Sequence, residues 1–190
     1  MTKIAIIATS LVTEADLKSA RLGPRFGRLD LASQLALLAV ETLGINFDSQ
    51  SRERIAICLA AKASSLTTDV EFWRGRDGVG GPSPTLFAYT LPSAAIGEIA
   101  IRHRLTGPNL CFVGDSRDVL PEAVDLIRRG EADSCVCIYS HIISVAAAGI
   151  TQSTPAASAC AVFLQRGGDG QAILGEFDRD METLSAKFHA

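Results

Sequence analysis

The chain has 190 residues, 47% of them apolar and 21% charged, and its 18 Lys and Arg against 21 Asp and Glu leave a formal net charge of -3. That length suits one domain with a sizeable core, and the composition excludes a disordered chain. The acidic balance, with no dense basic run interleaved with aromatics, excludes a nucleic-acid binder. The apolar stretches at 4–8 and 142–150 are too short to span a bilayer, and the first lacks a signal-peptide layout, so a cytoplasmic protein without a membrane span is expected.

In chain order, Lys3 to Thr9 (KIAIIAT) has the β-branched, small apolar character of a buried strand. A segment rich in Arg and Gly follows. Its Arg21, Arg25 and Arg28 read as a solvated basic face, with an anionic partner as the other reading. Leu31 to Leu43 (LASQLALLAVETL) is made of good helix formers; Asp30 is placed to cap it and Gly44 to end it. Arg54 to Leu59 (RIAICL) is the next strand. Thr67, Thr68 and Asp69 are candidate caps for a short helix through Phe72 and Trp73, and GRDGVGGPSPT is a long turn or loop. Ser93 to Arg104 reads as a helix capped by Ser93, with Ile96, Ala100 and Ile101 at helical spacing and Glu98, Arg102 and Arg104 toward solvent. His103, between two arginines, reads as a surface residue.

Gly107 and Pro108 break the chain before a strand at Asn109 to Gly114 (NLCFVG). Val119 to Arg129 is a helix that tolerates Pro121 in its first turn and stops at Gly130. Ser134 to Tyr139 (SCVCIY) and Ala159 to Leu164 (ACAVFL) are strands. Residues 172–177 are placed to pair beside the latter through a turn at Gly167, Gly168, Asp169 and Gly170. The pattern β-α-β-α-β-α-β-β implies an α/β fold in a single domain, residues 1–190. Its sheet is five-stranded, mixed and mainly parallel, flanked by helices, with the final hairpin supplying the antiparallel character.

The five cysteines are an odd number and sit in strand-like runs, so buried structural thiols rather than disulfides are expected. Without ligand-spaced partners they imply no metal site. Neither a phosphate-binding Gly-rich loop ending in Lys-Ser or Lys-Thr nor a dinucleotide fingerprint is present, so no cofactor is expected.

Two segments say more than the fold does: GPSPTLFAYTLPSAAIGEIAIRHRLTGPN at 81–109 and CFVGDSRDVLPEAVDLIRRGEADSCVCI at 111–138. Ser83-Pro84, Leu91-Pro92, Gly97, Gly107-Pro108 and Gly130-Glu131-Ala132-Asp133 occur in the order found in the N-terminal half of β-ketoacyl synthases, within the thiolase-like fold. Arg28-Leu29-Asp30 leading into SQLALLAVETL is similar to the synthases' first helix. The resemblance covers roughly residues 3–177. It implies a sheet in which the 3–9 strand is central, with the next two strands on one side and the last two on the other.

By this resemblance the nucleophilic cysteine of the synthases falls on Ser116. A hydroxyl ionises far less readily than a thiol, and Asp115 beside it disfavours an anionic nucleophile. A serine nucleophile needs a base, and the histidines here are His103, His141 and His189. The synthases' two catalytic histidines belong to a C-terminal half that these residues do not include. Ser116 and His141 stand as candidate catalytic residues. The competing reading makes Ser116 or Asp118 a cap of the following helix and His141 a packing or exposed residue. Cys111, five residues early, reads as core.

The resemblance points to a non-catalytic, chain-length-factor-like partner or scaffold in acyl-carrier-linked fatty acid, aryl-polyene or polyketide synthesis. The alternatives are an acyltransferase or thioester hydrolase using Ser116, and an unrelated scaffold retaining the fold. In the resembled family the strand before the catalytic turn pairs with its two-fold mate, which implies a homodimer through 109–113. It also implies, as further partners, a complete ketoacyl synthase and an acyl carrier protein. The helix after Ser116, which in a complete synthase meets the other half, is expected to show a polar outer face or to meet a partner.

Overall fold

Four of the apolar runs become strands longer than their sequence signals, while the one at 109–114 ends at Val113. The computed structural model describes residues 3–167, 172–173 and 181. It has β1 (Ile4–Thr13), β2 (Ile55–Ala61), β3 (Asn109–Val113), β4 (Ser134–Ile143), β5 (Ala156–Arg166) and the two-residue β6 (Ala172–Ile173). Helices α1 (Leu31–Thr42), α2 (Leu66–Gly75), α3 (Pro84–Phe87), α4 (Ala94–His103), α5 (Val119–Arg128) and α6 (Val145–Thr151) connect them. The expected turn at 168–170, the strand positions 174–177 and His189 lie outside the described residues.

The sheet is mixed and helix-flanked as expected, five long strands plus β6, in the order β3-β2-β4-β5-β1-β6. Three expectations about it need correction. First, β1 is not central but lies between β5 and β6, and β4 takes the interior place between β2 and β5. The burial patterns carry the reason: every residue of β2 is buried, and all of β4 except His141, whereas the C-terminal half of β1 exposes Leu11 and Thr13. Strands covered on both faces belong inside the sheet. Second, β2 pairs in parallel with β3 and β4, but β4–β5, β1–β5 and β1–β6 are antiparallel, so most of the pairings are antiparallel. Third, β6 pairs with β1, not with β5, because both edges of β5 are already hydrogen-bonded, to β4 and to β1.

Asp30 caps α1 as expected, its side chain accepting from Ser33 N at 3.0 Å. Thr67 and Thr68 do not cap α2; they lie inside it. The Thr68 hydroxyl donates to the Asp30 carboxylate at 2.7 Å, and Thr67 donates to the Ile142 carbonyl at 3.3 Å, tying α2 to α1 and β4. Ser93 makes no side-chain cap bond. On α4 the fully buried residue is Ile99, not Ile101, which stays exposed. The sequence pattern missed two short helices: α3, capped by Ser83, and α6, capped by Ser144 within the apolar 142–150 stretch.

Two apolar cores sandwich the sheet. On one face Leu35 and Val40 of α1 and Ile99 of α4 pack with Ile57, Ile138 and Phe163 of the sheet. On the other face Leu120 and Ile127 of α5 pack with Cys58, Cys137 and Val162 of the sheet, with Met181 fully buried beside them. Gly107 is dictated by the link into β3: a Cβ there would stand 2.2 Å from the Ile55 carbonyl oxygen, and no side chain fits between those backbones.

His103 is not a surface residue. Its side chain is 16% exposed, its ring lies 4.8 Å from that of Phe47, and its Nε2 is 3.4 Å from Glu41 Oε1. Burial pushes its pKa below the ordinary value, with the Arg102 charge acting in the same direction and Glu41 and Asp48 opposing. The unfolded chain therefore takes up the proton first. The contribution of His103 is intact above about pH 6.5 and is lost as pH falls toward the lower folded value. Urea midpoints should drop between about pH 7 and pH 5, and His103→Gln should flatten that drop.

Candidate functional site

The turn joining β3 to α5 is held by its own polar side chains. Asp118 Oδ2 accepts from Asp115 N at 2.6 Å, and Asp115 Oδ1 accepts from Ser116 N at 2.9 Å. Lys62, just past the end of β2, donates to the other oxygen of Asp115. The Lys62 ammonium, and after it the Ser116 N–H, hold the Asp115 carboxyl below the usual carboxylate range. An ionised carboxylate thus sits beside Ser116, where it opposes formation of an alkoxide.

Ser116 is buried in this turn. The expected cap is not made: Asp118 occupies the N-cap position of α5 but turns its carboxylate back to Asp115, and no side chain caps the helix among the described residues. His141 lies half-buried on β4, its ring centroid 6.4 Å from that of Tyr139 and its backbone opposite Ser158 on β5. Among the described residues no hydrogen bond joins His141 to Ser116, and His103 stands on the other face of the sheet, in the α1–α4 core. The Lys62–Asp115 pair spans 53 positions of sequence. No local pattern announces it, because the parallel pairing of β2 with β3 creates it.

Cys58 and Cys137 face each other across β2 and β4, and Cys135 and Cys160 are buried on the same side. Hydrogen bonding from Cys135 followed by burial raises the Cys58 pKa, and burial raises those of Cys135 and Cys137. These are protonated, inert packing thiols, as the sequence implies. Cys111 is half-buried against the α1–α4 core, its pKa raised by burial.

The other notable feature is the free edge of β3. Among the described residues it pairs with β2 alone. Ile57 N donates to the Pro108 carbonyl at 2.9 Å and Gly114 N to the Ala61 carbonyl at 3.3 Å, which aims the even-numbered residues at β2. By the two-residue period of a strand, the backbone groups of Asn109, Cys111 and Val113 point outward. No backbone hydrogen bond joins residues 79–92 to this strand among the described residues. Val113 is 61% exposed at its end, and Trp73, Phe87 and Leu91 are exposed large apolar residues elsewhere on the surface. On α5, Leu120, Ala123, Leu126 and Ile127 face the sheet while Glu122, Asp125, Arg128 and Arg129 face outward, the polar outer surface expected of this helix.

No protein-family profile and no curated protein matches this chain. Solved structures do. The ishigamide ketosynthase/chain length factor matches with TM-score 0.72 at 19% identity, over 89% of this chain and 63% of that one. A ketosynthase in complex with its chain length factor from Xenorhabdus doucetiae matches with TM-score 0.67 at 15% identity, over 88% of this chain and 80% of that one. A type II polyketide ketosynthase structure with its acyl-carrier protein matches with TM-score 0.71 at 14% identity, over 88% of this chain and 63% of that one. The chain therefore has the ketosynthase-type, thiolase-like fold, and it spans about two thirds or less of the length of most of these proteins.

Proposed function

We propose that this chain is a non-catalytic, synthase-like partner in acyl-carrier-linked synthesis of fatty acids, aryl polyenes or polyketides, and that it works by pairing through the β3 edge. The observation that carries the reading is the geometry of that edge: an apolar strand whose outward backbone groups meet no neighbouring strand among the described residues. Unpaired edges are rarely left open in soluble proteins. Antiparallel pairing with a second copy, or with the same strand of a complete synthase, satisfies the N–H and C=O groups and covers Val113. The turn that follows supports the non-catalytic part: it holds a serine rather than a thiol, beside an ionised Asp115 that disfavours an alkoxide.

The purified protein should therefore form no carbon–carbon bond between acyl and malonyl thioesters, and Ser116→Cys should not restore condensation. Condensation by the wild-type chain would overturn the reading. The second reading, in which Ser116 carries an acyl group, is favoured only by its position at the strand-to-helix turn. Mass spectrometry after incubation with acyl thioesters decides it: no adduct on Ser116 is expected, and a stoichiometric adduct abolished by Ser116→Ala would establish it.

A further inference from the structure

The excursion between β1 and α1 plays no part in that reading. From Leu17 to Leu29 (LKSARLGPRFGRL) it carries four cations and no acid. Its apolar residues fold back onto the protein: Phe26 and Leu29 are buried, and Leu17 and Leu22 pack half-buried against the α1–α4 core. Hydrogen bonds from Gln34 Nε2 to the Phe26 carbonyl at 3.1 Å and from Arg102 Nη1 to the Leu22 carbonyl at 3.0 Å hold the loop main chain. The folded loop borders an open cleft of about 510 Å³ lined by Leu17, Ala20, Leu22 and Phe26, with exposed Arg21 in its wall. Through Leu22 and Phe26 this cleft adjoins a second cavity of about 160 Å³ lined by Leu29, Leu37 and Ile101.

The charges around it are unevenly satisfied. Glu98, in the smaller cavity, is engaged by Arg25 at 3.0 Å and by the Tyr89 hydroxyl at 3.2 Å, and Glu41 takes Arg102. Arg21 donates only to the main-chain carbonyls of Lys18 and Ala20, at 3.1 and 3.0 Å, and Lys18, Arg21 and Arg28 make no ion pair among the described residues. The wider end therefore has uncompensated positive charge over an apolar floor, and the narrower end is apolar with its one acid neutralised. The wider cleft by itself has the volume of a small-molecule site.

We propose that this cleft binds a small anionic amphiphile, with a carboxylate or phosphate headgroup at Arg21 and an apolar body lying over Leu22 and Phe26 toward Leu29 and Leu37. The guanidinium of Arg21 supplies charge-assisted hydrogen bonds to the headgroup, while Lys18 and Arg28 raise the local potential in a salt-dependent way. The site is separate from Ser116 and from the β3 edge, so it stands or falls without the pairing function.

Isothermal titration of the full chain with dodecanoate below its micelle concentration tests this. Saturable one-to-one binding is expected, weakened by salt. Dodecanol and acetate, each carrying half of the ligand, should bind at least about tenfold more weakly, and the double variant Arg21→Gln/Arg28→Gln should lose at least about tenfold in affinity. Gly27 lines the wider cleft, and a Cβ there meets no atom within 4 Å, so Gly27→Leu should fill the space and block dodecanoate. If that variant folds poorly, the surface charge pair still decides. Equal binding of dodecanol, affinity unchanged in the charge variant, or no saturable binding would overturn the proposal. So would co-sedimentation with anionic vesicles by a protein that ignores monomeric dodecanoate, which would mark a flat membrane-binding face instead.

Discussion

Phe163→Ala is expected to remove about 3–5 kcal/mol of stability, a large share of what a domain of this size possesses. Phe163 is 1% exposed on β5, opposite Val136 of β4 and Ala8 of β1, and its ring meets Phe47 edge-on at a centroid distance of 5.9 Å. Truncation removes the transfer free energy of the ring and leaves a cavity walled by two strands and α1, whose backbones cannot close over it. The aromatic pair adds about 0.5–1.5 kcal/mol beyond area burial. The melting midpoint should fall by roughly 6–20 °C, whereas Ile101→Ala on the exposed side of α4 should cost no more than about 0.5 kcal/mol. Urea unfolding followed by circular dichroism reads both. A loss under about 1 kcal/mol at Phe163 would mean that the α1 face is not close-packed.

Val113→Pro is expected to shift the protein in light scattering from a two-chain mass to the 20.1 kDa of one chain. The Val113 N–H points away from β2, so proline removes an outward donor without breaking the β2–β3 ladder, and the extended Phe112 before it already suits a following proline. Its ring also stands where a pairing strand would lie. Phe112 is the poorer probe, because it is packed against the α5-side core and a charge there would disturb folding as well as association. A wild-type chain that keeps a single-chain mass at high micromolar concentration would sink the homodimer. Unchanged dimer mass in Val113→Pro with a native circular dichroism spectrum would place the contact elsewhere, with the exposed Trp73, Phe87 and Leu91 as the next surface to test.

Sequence alone determined the main strands and the longer helices, the buried thiols and the fold class. Those properties are local or compositional: the β-branched run KIAIIAT, the Asp30 cap ahead of LASQLALLAVETL, and cysteines embedded in apolar strands. The Gly107-Pro108 motif was also legible, although only the 2.2 Å approach to the Ile55 carbonyl explains why that position admits no side chain. Strand order was decided by tertiary structure. Apolar runs of similar strength appear in β1 and β4, and which of them lies inside depends on the neighbours each finds across the whole chain. The same holds for His103, whose Arg neighbours suggested solvent until packing set its ring on Phe47. It holds too for Asp118, whose carboxylate accepts from Asp115 N rather than capping α5. Around Ser116 the sequence supplied the serine and its acidic neighbour. The ammonium that keeps that neighbour ionised arrives from 53 residues away, because β2 and β3 run parallel and end side by side.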